Sequence, residues 1–179
     1  EGVDITKADI LVGAGRGAED CLDMVQAVAE ELGGELCASR AVVDDGFADK
    51  AIQVGQTGKT VRPSLYIACG ISGACQHVAG MEKSDMIIAI NRDPQAEIFS
   101  IANMGFIGDV KEILPLLKDE IIAAKKGIIN TFIQEGGKLP LLVYKNSKGD
   151  NKHEKSWCNW CRNKWARVLQ MHLLPMGTM

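Results

Sequence analysis

The sequence predicts an α/β fold with a doubly wound parallel sheet covered by helices on both faces, and three observations carry the prediction. Short β-rich runs recur between residues 9 and 109, and most are apolar at successive rather than alternate positions. Stretches with helical spacing separate them. Each run ends in glycines or in small polar side chains. Strands apolar on both faces are buried on both faces, and strands separated by helices run parallel.

In order, the runs are "DILVG" (9–13), "ELCAS" (35–39), "AIQVG" (51–55), "SLYIACG" (64–70), "DMIIAIN" (85–91) and "MGFIGD" (104–109). Between the first two, Leu22, Val25, Val28, Ala29 and Leu32 repeat at helical spacing and meet a stop at Gly33-Gly34. After the fourth, Ala74, Val78 and Met81 lie on one face of a predicted helix that Ser72 would cap. After the sixth, Val110, Ile113, Leu114, Leu117, Ile121 and Ile122 repeat in the same way, with Pro115 expected to kink or restart the helix. From about residue 126 the pattern ends. The segment 126–179 holds all three Trp residues, shows no βα alternation, and is expected to be a partly disordered extension with a short helix over 157–172.

Composition sets bounds on function. With 179 residues, 46% hydrophobic and 24% charged, the chain can bury a sizeable core. A net charge of −3 offers no basic surface for nucleic acid, and no apolar stretch approaches the roughly 18 residues that span a bilayer. Residue 1 is Glu and no signal pattern leads the chain, which points to a trimmed or processed product. Cys21, Cys37, Cys69 and Cys75 fall on predicted elements and read as small core residues in a reducing compartment. In the tail, Cys158 and Cys161 have metal-ligand spacing, flanked by His153 and His172. A single CxxC without a second pair makes a weak zinc signal, and no metal is expected.

In a doubly wound sheet ligands bind beyond the carboxyl ends of the strands, so the chemistry is sought there. Run one ends in "GAGRGAED", where Gly13, Gly15 and Gly17 would let the backbone approach a ligand and Arg16 could fork onto a phosphate. Run two delivers Ser39 and Arg40, and run three delivers "VGQTGK", whose Gln56 and Thr57 suit hydrogen bonding better than acid-base work. Run four turns through Gly70–Gly73 into a helix whose free amides favour an anion, with His77 one turn in and able to carry charge near neutral pH. Asn91 and Asp109 close runs five and six and suit the hydroxyls or ring nitrogens of an adenosine-like group. No phosphate-binding GxxxxGK[ST] loop, HExxH or GxSxG is present. Glycines, amides, Arg, His and hydroxyls together suit a large anionic cofactor that brings its own chemistry.

With these segments assembled, residues 9 to about 122 closely resemble the C-terminal FAD-binding domain of the electron transfer flavoprotein alpha subunit. The block "RPSLYIACGISGACQHVAGMEKSDMIIAINRDPQAEIF" carries most of the resemblance, and "GAGRG", "ASRAVVDDGF", "QVGQTGK" and "GFIGDV" fall in the family's order and spacing. Glu97 stands where the family usually has Pro, nothing corresponds to the alpha subunit's N-terminal domain, and the tail from about residue 126 has no counterpart.

The resemblance implies a three-layer α/β/α Rossmann-like domain of the deoxyhypusine-synthase type over 1–125, with 126–179 as an extension. It implies FAD as cofactor, contacted by Arg16, Ser39, Arg40, Val54, Gly55, Gln56, Thr57, Ser72, Gly73, Ala74, Cys75, Gln76, His77, Asn91, Asp109 and Val110. Arg40 and Thr57 would flank the redox edge of the flavin and His77 its pyrimidine carbonyl, with Arg40 and His77 as cations that favour the charge gained on reduction. The implied protein is an electron carrier rather than an enzyme. It would pair with an electron transfer flavoprotein beta subunit and carry electrons from flavoprotein dehydrogenases, such as the acyl-CoA dehydrogenases of fatty acid beta-oxidation, to a quinone oxidoreductase. It would work in the bacterial cytoplasm or the mitochondrial matrix, without nucleic acid or membrane insertion. The alternative is an NAD(P)-binding enzyme domain of related fold, against which stands the missing acidic residue at the end of run two, where Ser39-Arg40 lies instead.

Overall fold

The computed structural model describes residues 4–125, 141–145 and 151–153. Five parallel strands form the body of the sheet: β1 (Ile10–Ala14), β2 (Glu35–Ala38), β3 (Leu65–Cys69), β4 (Met86–Asn91) and β5 (Met104–Ile107), in the spatial order β2-β1-β3-β4-β5. Helices α1 (Leu22–Leu32), α2 (Arg40–Asp44), α3 (Cys75–Met81) and α4 (Val110–Lys125) connect or follow them. The result is the Rossmann-like α/β/α arrangement. Two short strands, β6 (Leu141–Lys145) and β7 (Asn151–His153), continue the sheet antiparallel beyond β5. The helix expected over 157–172, and with it Cys158, Cys161 and His172, lies outside the described residues.

Alternation within each strand explains why the runs are apolar throughout. On one face Ile10, Val12, Ala14, Leu65, Ile67, Cys69, Ile88 and Ile90 pack with Val25, Val28 and Ala29 of α1 and with Ile113, Leu114, Leu117 and Ile121 of α4. On the other face Leu11, Tyr66, Ala68, Ile87 and Ala89 pack with Met81 of α3 and with Ile98 and Ala102. Each strand therefore buries successive residues on opposite sides, as a sheet covered by two layers must.

Helix α1 has the expected limits: Gly33, in the left-handed region at φ 70°, closes it by donating its N–H to the carbonyls of Ala29 and Glu30. Pro115 does not restart α4, which is one helix from Val110 to Lys125. Its buried residues hold it against α1 and the sheet.

Three local expectations are corrected. The run 51–55 is not a strand. The Asp49 carboxylate accepts from the Ala51 N–H at 2.7 Å and turns Lys50–Ile52 into a 3-10 helix, leaving only isolated bridges from Gln53 to Ala38 and from Val54 to Lys59. Ser72 does not cap α3, whose N-cap is Ala74 without a side-chain bond, and the helix buries His77 and Gly80 along with the expected Met81, while Ala74 is exposed and Val78 half-buried. Cys75 is exposed, unlike the buried Cys21, Cys37 and Cys69. Among the described residues no helix is long and apolar enough to cross a membrane.

Candidate functional site

Strand order places the site. The chain leaves β1 toward β2 on one side and returns to β3 on the other, so the loops after β1 and β3 part at this switch point and open a crevice above their carboxyl ends. The two loops are bonded backbone to backbone: the Gly15 N–H donates to the Cys69 carbonyl at 2.8 Å and the Gly17 N–H to the Gly70 carbonyl at 3.1 Å. A Cβ on Gly15 would run into the Gly70 backbone, and one on Gly70, at φ 64°, would come within 2.6 Å of the Gly17 carbonyl carbon. These glycines serve close packing between the two loops. Gly15, Gly17 and Gly70 also line the crevice above this junction, where a close backbone approach to a ligand is expected.

A cleft of about 800 Å³ opens above this junction. Of the residues expected at the site, Arg16, Ser39, Arg40, Val54, Gly55, Gln56, Thr57, Ser72, Ala74, Gln76, His77 and Asn91 line it. Gly73, Cys75, Asp109 and Val110 are not among its lining. Gly73 packs against the backbone of Ile98, Cys75 is exposed at the start of α3, and Val110 is buried in the core as the first residue of α4. The Asp109 carboxylate accepts from the Lys111 N–H at 2.8 Å and so caps α4.

The lining also contains residues that sequence reasoning passed over, notably Gln53, Asp44 and Arg92. Gln53 interrupts an apolar run, Asp44 stands four residues after Arg40 at helical contact spacing, and Arg92 follows Asn91 directly. Those were the available signals.

Polar groups of the cleft are held by one another. Gln53 Nε2 donates to Thr57 Oγ1 at 2.9 Å, and the Gln56 N–H donates to the Gln76 carbonyl at 2.7 Å, joining the 54–59 loop to α3. Gly80 lies so close to Gly55 that a Cβ there would stand 2.5 Å from Gly55 Cα. Asn91 Nδ2 donates to the Ile71 carbonyl and its Oδ1 accepts from the Asp93 N–H, each at 2.9 Å, so this amide chiefly fixes the loop after β3. Arg40 Nε is 3.0 Å from Asp44 Oδ2, in a solvent-exposed pair.

Apart from Tyr66 with its hydroxyl, three polar side chains are buried among the described residues, Ser39, Gln53 and His77, and these three line this cleft. Burying polar groups costs free energy unless they find partners, so their convergence on one crevice marks a built site. His77 Nε2 lies 3.0 Å from Tyr66 Oη, while Nδ1 is buried without a hydrogen-bond partner. Burial lowers the His77 pKa from 6.5 to about 4, and the Val54 carbonyl opposes the shift without completing a bond to Nδ1. His77 is thus neutral at pH 7, which corrects its expected role as a cation. Positive charge in the lining comes from Arg16, Arg40 and Arg92.

Residues 4–82 match the family model for the electron transfer flavoprotein FAD-binding domain. The chain carries an electron transfer flavoprotein FAD-binding domain. Similarity to curated proteins reaches beyond the matched segment. The chain is 54% identical over 130 residues to Protein FixB of Clostridium saccharobutylicum, covering 72% of this chain and 38% of the relative. It is 52% identical over 122 residues to the electron transfer flavoprotein subunit alpha of Bacillus subtilis, covering 67% and 38%. It is 48% identical over 124 residues to the mitochondrial electron transfer flavoprotein subunit alpha of Dictyostelium discoideum, covering 68% and 35%. The chain therefore spans less than two-fifths of the length of these relatives.

The cleft of this FAD-binding domain fits its cofactor on the chemistry of its donors. FAD brings a diphosphate, for which there are guanidinium groups, and a ring rich in acceptors, for which there are the Thr57 hydroxyl and the unpartnered His77 Nδ1.

Proposed function

We propose that this chain is the flavin-holding part of an electron transfer flavoprotein alpha subunit, an electron carrier without substrate turnover of its own. In this reading it takes electrons from flavoprotein dehydrogenases, such as the acyl-CoA dehydrogenases of fatty acid beta-oxidation, and passes them to a quinone oxidoreductase. The observation that carries it is the convergence of three guanidinium groups with the buried side chains of Ser39, Gln53 and His77 on one cleft at the β1–β3 switch point. Anion-binding groups beside donors, without an acid-base pair, suit a cofactor that supplies the redox chemistry itself.

Within the reading, Arg16 and the 72–76 segment hold the diphosphate. Arg40 and Thr57 flank the redox edge of the flavin, and His77 meets its pyrimidine carbonyl as a neutral group. Val54, Gly55 and Gln56 pack beside the ring system, with Ser39 and Asn91 toward the remainder of the cofactor. Gly73, Cys75, Asp109 and Val110 complete the assigned set, although they are not among the lining of the cleft. Arg40 supplies the positive charge that favours reduction. Residues 1–125 form the FAD-binding domain and 126–179 an extension. A beta subunit covers the exposed side of the cleft, and the complex works in the cytoplasm of a bacterium or the mitochondrial matrix of a eukaryote.

Titration of the purified chain with FAD, followed by flavin absorption and fluorescence, tests this reading. One FAD per chain is expected, with loss of affinity in Arg16→Ala. Binding of NAD(H) with no binding of FAD would overturn it in favour of an NAD(P)-dependent enzyme domain.

A further inference from the structure

Tyr66 sits within β3, wholly buried, and is not part of the cleft lining. Its hydroxyl lies between two side chains. The Cys37 thiol donates to Tyr66 Oη at 3.4 Å, and Oη lies 3.0 Å from His77 Nε2. Room for the hydroxyl depends on Gly13, since a Cβ there would overlap Oη.

The direction of these bonds follows from the groups. The single hydroxyl hydrogen could go to the Cys37 sulfur or to the imidazole nitrogen, and sulfur is a weak acceptor while a neutral imidazole nitrogen is a good one. The hydroxyl therefore donates to Nε2 and the thiol to Oη. Neither group gives up its proton to the other, because burial pushes the Cys37 thiol up to about 12 and the Tyr66 phenol well above its ordinary value. A neutral imidazole that accepts at Nε2 carries its hydrogen on Nδ1. That atom is the one buried side-chain nitrogen or oxygen without a partner among the described residues.

We propose that Tyr66 is a positioning residue for the cofactor: by donating to Nε2 it locks His77 as the neutral Nδ1–H tautomer, leaving one oriented N–H for an acceptor atom of bound FAD. The inference rests on the reading that FAD fills this cleft. Tyr66 acts through His77 alone and is not itself in the cleft lining.

The test separates the tautomer from the binding. Two-bond proton–nitrogen correlation spectra of the FAD-free chain, with nitrogen-15 in its three histidines, report which ring nitrogen is protonated, and His77→Gln identifies the His77 signal. Protonated Nδ1 is expected in the wild type and a mixture of tautomers in Tyr66→Phe. FAD affinity is expected to fall about tenfold in Tyr66→Phe, with no further loss from Tyr66→Phe in a His77→Gln background. A wild-type ring protonated on Nε2, an unchanged tautomer in Tyr66→Phe, or an equal loss of affinity in the His77→Gln background would each overturn the proposal. Should Tyr66→Phe not fold, the wild-type tautomer decides alone. A wild-type chain that binds no FAD overturns the functional reading and the cofactor role together, whereas the wrong tautomer with intact FAD binding overturns the role of Tyr66 only.

Discussion

The side-chain amide of Gln53 donates to the hydroxyl oxygen of Thr57 at 2.9 Å, and both residues line the cleft. Because the oxygen already accepts from Gln53, the Thr57 hydrogen is left to donate toward a ligand. Gln53 is buried and Thr57 exposed, so the rigid partner orients the accessible one.

Gln53→Leu should therefore cost about 1 kcal/mol of FAD binding, roughly fivefold in Kd. Gln53→Glu should cost more, because the carboxylate accepts the hydroxyl hydrogen and turns it away from the cleft. Flavin fluorescence titration of both variants checks this, and equal affinities for the two would show that the hydrogen's direction is irrelevant.

His77 makes the stability of the FAD-free chain depend on pH. Its folded pKa, about 4, lies below the free value of 6.5, so between these values the unfolded chain binds a proton that the folded chain does not. The stabilising contribution is complete above pH 6.5 and falls as the pH drops through that window, by about 3 kcal/mol at pH 4. Urea unfolding at stepped pH should show this fall in the wild type and a smaller one in His77→Gln. Parallel curves would mean that His77 titrates normally.

Gly70→Ala and Gly46→Ala separate backbone strain from collision. Both glycines have positive φ, 64° and 81°, but a Cβ at Gly46 meets nothing within 4 Å while one at Gly70 meets the Gly17 backbone. Gly46→Ala should cost about 1 kcal/mol. Gly70→Ala should cost several times that and weaken FAD binding, because the two loops must separate. Equal urea midpoints for the two variants would show that the loops yield easily.

Arg40→Ala should leave stability within about 1 kcal/mol of the wild type, since its pair with Asp44 is exposed. The flavin midpoint potential should fall, because a positive charge that favours the reduced ring is gone. An unchanged midpoint would place Arg40 away from the redox edge.

Exposed cleft residues such as Gln56, Thr57, Ser72 and Gln76 bear on the proposed partner. FAD should dissociate faster from the chain alone than from its complex with a beta subunit, as stopped-flow flavin release would show. Equal rates would mean that the partner does not cover the cofactor.

Much of the fold was legible in the residues. Ile10, Val12 and Ala14 face one layer and Leu11 the other, and only a strand buried on both sides needs such a run, so the parallel sheet could be read directly. Helix α1 was equally plain from its spacing and its glycine stop. The run 51–55 misled because strand propensity is weak in so short a segment, and one bond from Asp49 to Ala51 turned it into a 3-10 helix. Ser72 misled for a related reason: the turn after β3 runs two residues further before α3 begins.

By itself, then, the sequence determined the layers, the positions of Arg16, Ser39 and Arg40 just beyond β1 and β2, and the absence of a nucleophile or metal motif from the runs that build the sheet. Those properties follow from periodicity and local residue chemistry. Only the tertiary structure decided that Gly15 and Gly17 pack against Gly70, that Gln53 orients Thr57, and that His77 is buried and neutral above Tyr66. The physical reason is that a proton's position and a side chain's charge depend on groups brought close in space. Tyr66, Cys37 and His77 meet only when β2, β3 and α3 come together.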